Sequence, residues 1–163
     1  MTISRRLCLC AGLSMLAGCA VSPSDETRFT GRFSLLTSAA RERVTGRFAL
    51  SRRGDAIRLD LLTPLSGILA RIDITPESAE LSRGLHEVVE RERDAETLMR
   101  KHLGFAVPVE RLVTWLKHPP ADRFDAGPWH VSLESRFDDG APRRIRITSA
   151  DLVLTLLLDA SDT

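Results

Sequence analysis

Residues 57–74 read Ile57-Arg58-Leu59-Asp60-Leu61-Leu62-Thr63-Pro64-Leu65-Ser66-Gly67-Ile68-Leu69-Ala70-Arg71-Ile72-Asp73-Ile74. In an extended chain successive side chains leave on opposite faces. Ile57, Leu59 and Leu61 then share one face, and Arg58 and Asp60 the other. The pattern resumes after a turn-rich loop, Thr63–Gly67, with Ile68, Ala70, Ile72 and Ile74 set against Arg71 and Asp73. Strands with one apolar and one charged face, joined by a short loop, belong to an antiparallel sheet covered on one side only.

The same reading extends outward in both directions. Upstream, Phe29, Gly31, Phe33 and Leu35 alternate with Thr30, Arg32 and Ser34. Val44, Gly46, Phe48 and Leu50 then alternate with Thr45 and Arg47, before a turn at Arg53-Gly54-Asp55. Downstream, Glu80–Ser82 and Glu87–Val89 flank a hairpin turn at Arg83-Gly84. The period then changes. Asp94 is a good N-cap, Leu98, Met99 and His102 or Leu103 follow at helical spacing, and Gly104 is a suitable C-cap. Pro108 opens a second helix with Leu112, Trp115 and Leu116 on one face, and His118-Pro119-Pro120 ends it. The charged run Glu90, Arg91, Glu92, Arg93, Asp94 and Glu96 reads as a solvated helix start. Alternation returns in three strands: Trp129, Val131 and Leu133; Ile145 and Ile147 after Pro142; and Leu152 to Leu158.

Strands, two helices, then strands predict a mainly β, α+β fold. The expected architecture is an unclosed, curled antiparallel β-barrel whose short helices cover an apolar concave face. An ordinary filled core and a lipid-sized cavity both fit that pattern, and periodicity does not choose between them. Leu65 likewise has two readings, folded back onto the sheet or pushed outward by the tight Pro64–Gly67 bend.

Catalytic patterns are missing from the sequence. His86, His102, His118 and His130 are scattered without metal-ligand spacing, so no metal or other cofactor is expected. Ser66 and Ser82 lie near glycines but outside a nucleophile elbow, and no glycine-rich loop precedes a helix. Asp138-Asp139-Gly140 fits a hairpin turn better than a metal loop. The expectation is a protein that is not an enzyme.

The N-terminus carries a basic Arg5-Arg6, an apolar run from Leu7 to Leu16, and then Ala17-Gly18-Cys19. That is the layout of a secretory signal, and the run is shorter than the roughly 20 residues a membrane span needs. Leu16-Ala17-Gly18-Cys19 resembles the lipobox of bacterial lipoproteins, which implies cleavage before Cys19 and lipid on its sulfur. Of the three cysteines, Cys8 and Cys10 would leave with the signal, and lipidation would occupy the last thiol. Ala20 follows the cysteine where many inner-membrane lipoproteins have Asp, which favours the outer membrane. The expected organisation is a signal over 1–18, lipidated cysteine and tether over 19–28, and one domain over 29–163. Loss of Arg5 and Arg6 takes Lys+Arg from 23 to 21 against 22 Asp+Glu. A net charge near −1 argues against nucleic acid or an anionic membrane surface as an electrostatic partner.

Phe29-Thr30-Gly31-Arg32-Phe33, the Leu61-Leu62-Thr63-Pro64-Leu65 loop, and Gly104-Phe105-Ala106-Val107-Pro108-Val109 leading to Leu112-Val113-Thr114-Trp115-Leu116 occur in that order. Together with Gly127-Pro128-Trp129-His130-Val131 and Pro142-Arg143-Arg144-Ile145, they resemble the LolB family of the lipoprotein-sorting pathway. The resemblance covers about residues 29–158. It implies a monomeric, outer-membrane-anchored receptor facing the periplasm. Such a receptor takes lipoproteins from a soluble carrier, LolA, and inserts them into outer-membrane lipid. It further implies an acyl-chain cavity, for which Phe33, Phe48, Leu50, Leu59, Leu61, Ile72, Leu98, Leu112, Trp115, Leu116, Val131 and Ile147 are the candidates. Pro64, Leu65, Ser66 and Gly67 would form a membrane-touching loop with Leu65 at its tip. A structural or partner-binding envelope lipoprotein with the same fold is the alternative. Two departures stand out: Ser66 separates Leu65 from Gly67, and the short stretch between Cys19 and Phe29 leaves no room for the family's N-terminal helix.

Overall fold

A computed structural model describes residues 26–38, 43–63, 67–84 and 88–160. The chain forms β1 (Glu26–Thr37), β2 (Arg43–Arg53), β3 (Ala56–Leu62), β4 (Ile68–Ile74), β5 (Ala79–Ser82) and β6 (Val88–Glu92). Two helices follow, α1 (Ala95–Leu103) and α2 (Val109–Lys117). The chain then continues through β7 (Arg123–Ala126), β8 (Trp129–Arg136), β9 (Pro142–Thr148) and β10 (Leu152–Leu158). All ten strands join one antiparallel sheet in the order β6-β5-β4-β3-β2-β1-β10-β9-β8-β7. The sheet curls around the helices without closing, as the alternation predicts, and β6 and β7 are its edges.

Alternation sets the register. Leu50 lies opposite Leu59, and Leu59 opposite Ile72, on the inner face. On the outer face Arg58 opposes Asp73 and Arg71 opposes Asp60, each with an ion pair of 2.6 Å. A slip of one residue would put these charges into the core, which is why the pairing is unique. The Asp60 hydrogen bond is the main reason the Arg71 guanidinium is held above its ordinary pKa. Further along the same face Glu80 pairs with Arg91, and Glu134 accepts from both Arg144 (2.8 Å) and Arg146 (2.5 Å).

Gly31 permits the tightest contact in the sheet. It pairs with Leu158 in β10, and a β carbon there would lie 2.2 Å from the Leu157 carbonyl oxygen. Only a residue without a side chain lets the two backbones approach so closely.

The helices form where the period changes. Asp94 caps α1, its carboxylate accepting from the Thr97 backbone N–H at 2.8 Å and from the Thr97 hydroxyl at 3.0 Å. Gly104 ends it in the left-handed region at φ 77. Ala95, Leu98 and Met99 are buried, and α1 packs on β5 and β6. Lys101 donates to Glu92 at 2.5 Å and links the last turn to the edge strand. In α2, Val109, Leu112, Val113, Trp115 and Leu116 are buried. Burial of each such side chain stabilises by about 1.5–3 kcal/mol. Trp115 also meets Phe124 edge to face at 5.7 Å, worth about 0.5–1.5 kcal/mol more.

Two elements differ from the sequence expectation. Glu90, Arg91 and Glu92 lie in β6, so the helix starts only after Asp94. Their alternating charges suit an edge strand, where charge discourages pairing with another chain. β7 is an additional strand of four residues, paired through Phe124 and Val131 with β8.

Gly31→Ala is expected to destabilise by about 1–3 kcal/mol, because the new methyl meets backbone that cannot retreat; urea unfolding measures this. Asp94→Ala is expected to cost about 1 kcal/mol through loss of the cap. The Thr97 hydrogen bonds hold Asp94 below the ordinary carboxylate range, and Lys101 does the same for Glu92. Their contribution is therefore complete above that range and lost as pH falls through the lowered values. Urea midpoints measured down an acid series should show the gap between wild type and Asp94→Ala shrinking; a constant gap would contradict it.

Candidate functional site

The concave face holds a cleft lined only by apolar side chains: Phe33 and Leu35 from β1, Phe48 from β2, Leu59 and Leu61 from β3, and Leu154 and Leu156 from β10. Met99 of α1, Leu112 of α2, and Phe105 and Val107 of the connector between the helices complete it. Each strand presents these residues at every second position. Phe33 lies opposite Gly46, where a β carbon would come within 2.9 Å of its ring, so the glycine makes the space that ring fills.

The free volume of the cleft is about 40 Å³. That is room for little more than one water-sized group, against about 300–1,000 Å³ for typical small-molecule sites. The cleft is thus largely filled by its own side chains.

Of the twelve candidate cavity residues, Phe33, Phe48, Leu59, Leu61 and Leu112 border the cleft. Leu50, Ile72, Leu98, Trp115, Leu116, Val131 and Ile147 belong to the same apolar cluster but are packed away from the free volume. Leu35, Met99, Phe105, Val107, Leu154 and Leu156 border it without having been singled out. The strand members among them follow from alternation, whereas Phe105 and Val107 sit in an irregular connector with no period.

Gly67 is exposed at the base of the loop between β3 and β4. Its N–H donates to the Thr63 hydroxyl at 3.2 Å, and the Thr63 N–H donates to its carbonyl at 2.9 Å, so the neck of the loop is tied. Pro64, Leu65 and Ser66, and Cys19 at the N-terminus, lie outside the described residues. Among the described residues no cluster of His, Cys, Asp or Glu has the arrangement to hold a metal ion.

A curled, unclosed antiparallel sheet with two short helices over an all-apolar cleft defines a half-barrel class. Within that class, the family model described as "Outer membrane lipoprotein LolB" matches residues 25–160. Relatives named outer-membrane lipoprotein LolB agree. That of Cupriavidus pinatubonensis is 36% identical over 135 residues, covering 74% of this chain and 65% of its own length. That of Cupriavidus metallidurans is 35% identical, covering 88% and 74%, and that of Bordetella petrii 32%, covering 82% and 80%. The chain belongs to the LolB family, which makes it a lipid-anchored protein of the outer membrane. It spans 65% of the length of the first of these relatives.

Cleft and core residues should respond differently to truncation. Ile147→Ala, fully buried, is expected to lose about 2–5 kcal/mol. Phe33→Leu, at the half-buried rim of the cleft, is expected to lose no more than about 1.5 kcal/mol. Denaturant unfolding of the two variants tests the distinction.

Proposed function

We propose that this chain accepts lipoproteins from the periplasmic carrier LolA and inserts them into the outer membrane, sheltering their acyl chains in the apolar cleft. The observation that carries the reading is the cleft itself, apolar on every side within a half-barrel of the LolB family. A lipoprotein with three chains exposes on the order of 40 methylenes at about 0.8 kcal/mol each, so unaided passage through water is forbidden. A carrier and a receptor that each offer apolar surface remove that barrier. Transfer then runs downhill, as a difference of affinities, into the bilayer. No bond is made or broken, so no catalytic group is required.

Cys19 carries the lipid that holds the domain at the membrane, and Leu65 touches the bilayer during insertion. The chain enters the sheet at Glu26, while Leu62, just before the tied neck, lies level with Arg47 and Arg32. Those six positions of β1 amount to about 20 Å. The seven residue steps from Cys19 to Glu26 reach at most about 25 Å. That reach exceeds the offset along β1, so lipid and loop could meet one bilayer.

The small free volume favours a second reading, a partner-binding lipoprotein whose core stays filled. Transfer of a labelled lipoprotein from purified carrier to this protein, then to liposomes, separates the two. Transfer supports the receptor, and lipoprotein left on the carrier supports the alternative. Leu65→Glu is expected to accept lipoprotein normally and to deliver little to liposomes. Wild-type delivery by that variant would remove the role given to the loop.

A further inference from the structure

A second, larger hollow lies next to the apolar cleft at the end of the sheet where β1 finishes and β10 begins. Its volume is about 520 Å³. Thr37, Arg100, Trp129, Asp151 and Leu152 are among its walls, a mixture of apolar and charged surface. The same two strands line both spaces. On β1, Leu35 borders the cleft and Thr37 the outer hollow; on β10, Leu154 borders the cleft and Leu152 the hollow. Two residues of strand amount to about 7 Å, so the hollow sits one side-chain layer further along the same apolar tracks.

One residue belongs to both linings. Phe105 is half-buried and lines both spaces. It stands in the irregular connector between α1 and α2, directly after Gly104 in its left-handed conformation. A ring held by a connector, not by a regular helix or strand, moves without breaking a hydrogen-bond ladder. Rotating it would join the filled cleft to a space more than ten times larger.

We infer that Phe105 is the gate through which a fatty acyl chain passes from the outer hollow into the apolar cleft, an inference that rests on the acyl-binding function proposed above. The chain slides inward past Phe105 along Leu152 and Leu154. Its polar, ester-linked end stays in the outer hollow, where Arg100 and Asp151 supply polar wall. The gate also accounts for a cleft that is nearly full at rest: the apolar surface is exposed only while a chain occupies it.

The test is stopped-flow binding of fluorescently tagged palmitate to the protein and to Phe105→Ala, Phe105→Leu and Phe105→Trp, each checked for folding by circular dichroism. Association should quicken several-fold in Phe105→Ala, quicken less in Phe105→Leu and slow in Phe105→Trp. If Phe105→Ala fails to fold, the Leu and Trp variants still give opposite signs. Wild-type binding with unchanged rates in all folded variants, or slowing in every one, would overturn the gate and leave acyl binding intact. No saturable binding by the wild type or any variant would overturn both.

Discussion

The pairing of β1 with β10 is the constraint on which the rest of the structure depends. It runs from Gly31 opposite Leu158 to Thr37 opposite Leu152, joining the first strand to the last. Without it the chain would fall into two meanders, β1 to β6 on one side and β7 to β10 on the other. Loop closure over more than a hundred residues is entropically costly and slow, so this contact must be strongly favoured once formed. Gly31 allows it, and the inner faces of both strands then supply apolar surface. Phe33, Leu35, Leu154 and Leu156 meet there, and those four side chains form one wall of the cleft. The closure that makes one sheet thus also makes the site.

The two faces of the sheet act as one specification. Outside, Arg58 with Asp73 and Arg71 with Asp60 are exchanged across β3 and β4. Each partly exposed pair contributes little stability alone. Their effect is on register, because every shifted alignment places like charges together or buries them. Inside, the buried side chains among the described residues are apolar without exception.

Most of the fold was legible because a period of two is hard to mistake over five or more residues. It was lost where that length was lacking. β7 has four residues between the Pro119-Pro120 corner and Gly127, too few for alternation to register. In β6, Glu90, Arg91 and Glu92 carry charge at every position, so a strand and a helix start look alike. The site was legible by face but not by depth. Leu50 and Leu59 lie directly opposite each other on the same face, yet only Leu59 borders the free volume. Whether an inward residue meets a gap or a neighbour depends on how the helices and their connector settle, which no single element encodes. Phe105 shows this most clearly: it belongs to no periodic run and still lines both the cleft and the outer hollow.

If the chain handles lipid as proposed, a nearly full cleft is the resting state that packing favours. A standing apolar cavity large enough for a chain would forfeit dispersion contacts along its whole lining, and truncation studies put that at about 24 cal/mol per Å³ of void. At several hundred Å³ the loss approaches the entire stability of a small domain. A cleft of about 40 Å³ avoids most of that loss. The consequence is a difference in affinity built into the fold. Under the proposed function, each arriving chain would first displace cleft-lining side chains such as Met99, Phe105 and Leu112, which would repack when it leaves. The resting structure would therefore work against retention, and a bilayer, which needs no such displacement, would hold the chains more firmly. Under the proposed function, downhill release into the membrane would follow from how well the empty protein packs.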